Sequence, residues 1–314
     1  MLVARGVEEL PRALVRPVLT IGNFDGLHVG HRKIIDTVVE RAHALDGEAV
    51  LYTFDPHPRK VLQGDAGPKL LTTTEQKLEI LEAAGLDCVI LQPFDREFAR
   101  TTPETFIHEH IHRGIGPVEV YVGYDFHFGR DREGSMQLLT ETGPRIGFSV
   151  TIIGEVTVGD EDVNSTRIRG LIAEGRVEEA AVLLGRPYRV RGPVVEGMQR
   201  GRDIGFPTAN LAPHNEILPG AGVYAGRLRL LDEAGGGAEL PAVTNVGFRP
   251  TFEDGRDLVA EAHVIDFDGD LYGRPVELSF DACLRKEMKF DSVDELKVQI
   301  ARDVEAAREW LAQE

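Results

Sequence analysis

Ile21-Gly22-Asn23-Phe24-Asp25-Gly26-Leu27-His28-Val29-Gly30-His31 decides the reading of this chain. An apolar run at 18–21 enters a glycine-rich turn and then a helical pattern over 31–44, with Ile34, Ile35, Val38, Val39 and Ala42 on one face. A strand that turns into a helix N-terminus presents backbone N–H groups and the positive end of the helix dipole to an anion. His28 and His31 are three apart, so both rings project from one side of the first helical turn. Gly30 between them leaves room for a phosphate to approach.

Working outward, apolar runs at 49–54, 88–91, 118–122 and 149–153 alternate with helical stretches at 74–84, 103–112 and 168–184. Strands apolar on both faces and separated by helices predict a parallel sheet covered on both sides. After Gly185-Arg186-Pro187 the texture changes. Strand-like runs at 188–195, 223–231, 240–246, 258–267 and 276–284 are separated by turns such as 232–237 and 268–270, which predicts an antiparallel barrel or sandwich. A last amphipathic helix is expected over 293–311. The expected architecture is thus α/β over residues 1–186 and all-β with a terminal helix over 187–314.

Composition limits the partners. Of 314 residues, 42% are hydrophobic and 28% charged, the balance of a globular protein. The net charge of −17 argues against nonspecific nucleic-acid binding and against docking on anionic lipid. A phosphate-bearing substrate must then be met by local donors and a metal. No apolar run approaches the ~20 residues of a membrane span. The first residues are too acidic and too short in apolar run for a secretory signal. Cys88 and Cys283 fall in different expected domains, so the chain reads as reduced and cytoplasmic.

A second phosphate-bearing loop is expected at 197–210, where Gly197, Gly201 and Gly205 bring backbone close to a ligand. No Gly-Lys dipeptide occurs, which excludes a P-loop, and neither D-F-G nor H-R-D is present. Thr208 and Asn210 offer hard oxygens two residues apart, suited to Mg²⁺, although a structural Pro-Thr turn reads equally well from these residues alone. His108, His110 and His112 have no H-E-x-x-H frame and read as a solvated helix end.

H-x-G-H at 28–31 joined to Asn164-Ser165-Thr166-Arg167-Ile168-Arg169 resembles the nucleotidylyltransferase superfamily. Phe54-Asp55-Pro56-His57-Pro58 and Gly123-Tyr124-Asp125-Phe126-His127-Phe128-Gly129 narrow the likeness to the adenylyltransferase half of bacterial bifunctional riboflavin kinase/FAD synthetases. Asn164 departs from that pattern, which usually has Ser. In the second half, residues 197–210, 245–252, Glu261-Ala262-His263 and Leu271-Tyr272-Gly273 stand in the order of the riboflavin kinase domain, a small β-barrel with a C-terminal helix.

The resemblance implies that residues 1–186 transfer an adenylyl group from ATP to FMN, and that 187–314 phosphorylate riboflavin with ATP. It implies that His28 and His31 bind phosphate oxygens, and that Ser165, Thr166 and Arg169 hold the leaving pyrophosphate. Gly22, Asn23, Phe24, Asp25, Gly30 and Asp125 are then nucleotide-side candidates. In the kinase half it makes Glu261 the base, Thr208 and Asn210 the Mg²⁺ ligands, Gly201, Arg202 and Gly205 the phosphate loop, and Arg285 and Glu287 the flavin side. ATP, riboflavin, FMN and FAD are the implied small molecules, with no nucleic acid or membrane partner, in a monomer or weak homo-oligomer. The rival readings are a noncatalytic flavin-binding protein and a class I synthetase-like, tRNA-directed adenylating enzyme; the latter needs a basic surface that −17 opposes.

Overall fold

The computed structural model describes residues 1–159, 161–197, 201, 204–232, 237–250 and 256–313. Arg202, much of the 197–210 loop and most of the 232–237 turn, together with residues 251 and 252, lie outside the described residues. Contacts group the chain into two compact units, Met1–Pro68 with Thr72–Asn164, and Lys69–Leu71 with Ser165–Glu314.

The first unit is built on a six-stranded sheet in the order β1-β4-β3-β2-β5-β6. Its strands are β1 (Leu2–Ala4), β2 (Val18–Ile21), β3 (Ala49–Asp55), β4 (Cys88–Pro93), β5 (Glu119–Gly123) and β6 (Ser149–Ile153). Every pairing in it is parallel. Successive strand residues face opposite ways, and both faces of the inner strands β2, β3, β4 and β5 are buried, whereas the edge strand β6 is largely exposed. Val18, Leu51 and Val89 join one core with Ile35, Val38 and Leu81 from helices, while Leu19, Val50 and Ile90 join another with Phe106, Ile107 and Leu139. This is why the strands read as unbroken apolar runs. The chain steps from β2 to β3 and β4 on one side and later to β5 and β6 on the other. The order therefore reverses beside β2, and in open α/β sheets ligands bind at the carboxyl ends of the strands at such a point.

Helix α1 (Val29–Ala44) follows β2, α2 (Pro58–Gln63) follows β3, and α3 (Thr74–Ala83) is opened by Thr73 and Gln76 in a reciprocal capping box. The expected helix at 103–112 is a short α4 (Pro103–Thr105) continued by a π-helix, Phe106–Arg113. The wider π turn removes the i,i+4 facing of His108 and His112. His110 is not solvated as expected: its ring packs against Phe98 and Phe106, and its Nδ1 is buried. Helix α5 (Met136–Ile146) precedes β6, and a small hairpin, β7 (Thr157–Val158) with β8 (Glu161–Asp162), ends the unit. Neither α5 nor the hairpin was legible in the apolar pattern.

In the second unit the single helix expected at 168–184 is two, α6 (Ser165–Ala173) and α7 (Val177–Leu184). Gly175 between them has φ +78°, and a Cβ there would lie 2.6 Å from the Tyr224 hydroxyl. Both helices group with the barrel, so the contact division falls at 164/165 and not at the texture change near 186. The barrel strands are β9 (Tyr188–Val195), β10 (Ala209–Leu211), β11 (Gly222–Leu230), β12 (Glu239–Pro250), β13 (Arg256–Val264), β14 (Pro275–Phe280) and β15 (Ala282–Lys286). All pair antiparallel, and the pairing of β11 with both β12 and β14 closes a six-strand ring, with β15 continuing on β11. The run 276–284 is thus two strands, not one. Helix α8 (Val293–Leu311), capped by Ser292, lays Val304 and Ala307 against Val223, Ala225, Val243 and Ala282.

Candidate active sites

In the first unit the site forms where β2 ends. His28 is the N-cap of α1, and its Nδ1 accepts the backbone N–H of His31 at 3.2 Å. That bond assigns the ring proton of His28 to Nε2. The two imidazoles stack with centroids 3.7 Å apart, and Phe24 lies 4.7 Å from His31. Burial, then His28, then Lys77 hold His31 well below the usual histidine range, so its ring is neutral at pH 7. His31 Nδ1 is buried and has no partner among the described residues. An unmade buried hydrogen bond is costly, and a phosphate oxygen would satisfy it.

The glycines explain the turn's shape. A Cβ on Gly30 would lie 3.1 Å from His28 Nδ1, so Gly30 first of all seats the His28 ring. A Cβ on Gly22 would lie 2.8 Å from the Phe24 ring. Gly22 and Phe24 therefore make their contacts within the turn. Asp25 is buried, and the Asn23 carbonyl oxygen accepts from Thr53 Oγ1 at 3.2 Å and from Lys77 Nζ at 2.8 Å. Lys77 was not singled out in the sequence, because nothing in a helical lysine marks which loop it reaches. Asp125 follows β5, the strand beside β2, and is exposed, its carbonyl hydrogen-bonded to His127 at 2.9 Å. Phe54, Phe94, Phe98, Phe126 and Phe128 make a chain of ring contacts through Phe106 and Tyr52 near the ends of β3 and β4. Sequence reading quoted Phe54, Phe126 and Phe128 only as parts of motifs, because their spacing carries no local period that would mark a shared cluster. Ser165, Thr166 and Arg169 belong to the second unit, where Ser165 opens α6 and Arg169 Nε donates to the Lys69 carbonyl at 2.7 Å.

In the barrel, strand register assembles what lies far apart in the chain. Glu261 on β13 is directly opposite Asn210 on β10 and, on its other side, Asn245 on β12. Directly opposed residues carry their side chains on one face with Cβ atoms ~5 Å apart. Glu287 joins them, since a Cβ on Gly247 would lie 3.0 Å from Glu287 Oε1 and 3.3 Å from Asn245 Nδ2. Asn245 is a candidate that sequence reasoning quoted only as part of a motif. Ala262 and Val264 alternate with Glu261 and His263 and are buried, whereas His263 Nδ1 bonds the Pro207 carbonyl at 2.8 Å. Arg285 is held by Asp303 of α8 through three contacts of 2.8–3.1 Å and sits over the Phe290 ring.

The described part of the 197–210 loop is shaped by close approach. The Gly201 carbonyl accepts the Phe206 N–H at 2.8 Å, and a Cβ on Gly201 would lie 2.3 Å from the Phe206 carbonyl oxygen. A Cβ on Gly197 would lie 2.2 Å from the Asn210 amide nitrogen. Gly205 has φ +90°, which a glycine adopts without strain. Thr208 and the buried Asn210 therefore stand in a cradle that only glycine leaves open, and their hydroxyl and amide oxygens suit a hard cation. Among the described residues there is no group of three or more His, Cys, Asp or Glu that could hold a metal. A cavity of about 70 Å³ opens beside Thr208, lined also by Pro207, Ala262, Phe267, Asp270 and Tyr272. Gly197→Ala should push Asn210 aside and lower riboflavin phosphorylation roughly 10²-fold, the scale for ångström-size misplacement of a positioning group; steady-state rates of FMN formation check it.

The FAD synthetase family model matches residues 11–167, and the riboflavin kinase family model matches 184–311. The chain is 37% identical to a bifunctional riboflavin kinase/FMN adenylyltransferase of Haemophilus influenzae over 98% of both chains. It is 38% identical to that of Escherichia coli K12, over 99% of this chain and 98% of that one. With the Bacillus subtilis protein of the same description it shares 35% identity, over 93% of this chain and 92% of the relative. A solved structure described as a macrolide-efflux protein from Streptococcus pneumoniae matches with TM-score 0.87 and 29% identity, covering 98% of this chain and 99% of that one. Among the described residues here, no helix is long and apolar enough to cross a membrane. Matches to both halves, in one order and along nearly the whole length, show that this chain belongs to the family of bifunctional riboflavin kinase/FMN adenylyltransferases.

Proposed function

We propose that residues 187–314 phosphorylate riboflavin and residues 1–186 adenylate the FMN so formed, each with its own ATP site. The observation that carries the kinase assignment is the register of Asn210 and Asn245 on either side of Glu261. Glu261 takes the proton of the terminal ribityl hydroxyl as its oxygen bonds the γ-phosphorus of ATP and the bond to ADP breaks. Thr208 and Asn210 would hold Mg²⁺. Bound there, the ion neutralises charge on the ATP phosphates. Asp303 keeps the Arg285 guanidinium in a fixed orientation, and Arg285 and Glu287 face the flavin.

In adenylyl transfer a phosphate oxygen of FMN attacks the α-phosphorus of ATP and pyrophosphate leaves, with no covalent enzyme intermediate. Catalysis is then positioning and charge stabilisation. His28 and His31 donate to phosphate oxygens at the N-terminus of α1. Asn23, Asp25, Gly30 and Asp125 border the nucleotide, and the aromatic chain around Phe54 and Phe128 supplies an apolar wall of the kind an isoalloxazine ring packs on. The roles of Ser165, Thr166 and Arg169, and of the loop residue Arg202, rest on the sequence resemblance. The protein acts as a monomer or weak homo-oligomer without nucleic acid, and its two free cysteines are what a cytoplasmic site permits.

Chromatography of flavins after incubation with riboflavin, ATP and Mg²⁺ tests the reading. FMN should appear before FAD, and EDTA in excess of the metal should stop both conversions, with recovery on adding Mg²⁺. Turnover that persists in EDTA would overturn the metal assignment.

A further inference from the structure

The turn after β2 receives a cation from outside its own helix. Lys77 lies on α3, 54 residues from Asn23, and its Nζ donates to the Asn23 carbonyl oxygen at 2.8 Å. An ammonium carries three N–H donors, and that oxygen occupies one. Helix α1 has no acidic residue in its first turn to offset its dipole, so the N-terminus stays electropositive. His31 offers a buried, unpartnered Nδ1 at the same turn, close enough that the charge of Lys77 bears on its ring. In a chain of net charge −17, a half-buried ammonium bonded to the turn that opens α1, near enough for its charge to act on the His31 ring, is a local device for holding an anion. Burial holds the Lys77 ammonium below the usual lysine range, and the charges of Asp25 and Asp55 act against that by favouring its charged form.

We propose that Lys77 is a further catalytic residue of adenylyl transfer, its ammonium binding an ATP phosphate oxygen beside His28 and His31. The inference rests on the assignment of this turn to adenylyl transfer. The competing role is purely structural, with Lys77 serving only to pin the Asn23 peptide.

Lys77→Gln separates the two, because the amide keeps an N–H for the Asn23 carbonyl and loses the charge. For FMN-to-FAD conversion the variant should raise KM for ATP about 10- to 100-fold, the scale of one charge-assisted hydrogen bond. KM for FMN should stay within about 2-fold, and riboflavin phosphorylation should be unchanged. Lys77→Arg, which keeps the charge, should hold KM for ATP within about 3-fold of the parent, and it serves as the test if the Gln variant does not fold. An unchanged KM for ATP in Lys77→Gln, KM values for ATP and FMN that rise together, or a Lys77→Arg enzyme as impaired as Lys77→Gln would each overturn the proposal. His28→Ala run in parallel distinguishes the two levels. If it too leaves FAD formation intact, the assignment of the turn falls; if it alone abolishes FAD formation, only the role of Lys77 falls.

Discussion

Glu261→Gln is expected to abolish FMN formation from riboflavin while FMN supplied directly is still converted to FAD. Removing a general base lowers the rate by about 10²–10⁴-fold. The amide is isosteric with the carboxyl group, so it takes up the same space beside the cross-strand neighbours Asn210 and Asn245. Strand β13 is held through Ala260, Ala262 and Val264, which are buried and untouched by the change. The loss should therefore appear in kcat for the kinase step with the barrel still folded. Chromatographic separation of riboflavin, FMN and FAD reads both conversions in one sample. Loss of the two together would contradict separate sites.

His28→Ala should do the reverse, with FMN accumulating from riboflavin and ATP and little FAD. Loss of one preorganised donor to developing phosphate charge costs roughly 10²–10³-fold in rate. The same change removes the N-cap of α1, since His28 Nδ1 accepts the His31 N–H, and N-cap loss destabilises by about 0.5–2 kcal/mol. His28→Asn separates the effects, because Asn caps a helix well but has no imidazole to stack on His31. FAD formation should be as poor in His28→Asn as in His28→Ala, with thermal stability closer to that of the parent. An Asn variant that makes FAD at the parental rate would reduce His28 to a cap.

Much of both halves was legible along the chain. Elements with a strong period and clear ends stand where expected: β9 spans Tyr188–Val195, and α8 spans Val293–Leu311 behind its Ser292 cap. Where expectation and structure part, the cause is partly local and partly nonlocal. Helix α6 ends before Gly175, whose φ of +78°, with the Arg176 N–H bond to the Leu171 carbonyl, makes a local glycine cap, and the Tyr224 hydroxyl 2.6 Å from a Cβ there keeps the position glycine. The run after Pro275 becomes two strands because β14 pairs with β9 and β11 while β15 continues on β11 alone. His110 turns inward because the π-helix sets its ring against Phe98 and Phe106.

The sites divide in the same way. By itself the sequence determined the β2–turn–α1 geometry, the histidine pair at 28 and 31, the glycines of the kinase loop and the order of the motifs. These are local, and backbone sterics, capping and helix periodicity operate over a few residues. Only the tertiary structure decided that Asn210 and Asn245 flank Glu261, that Glu287 sits beside Gly247, and that Lys77 reaches the Asn23 carbonyl. Strand register and helix docking are set by the burial of whole faces at once. A single polar residue on such a face leaves no periodic trace of the partner that burial brings to it.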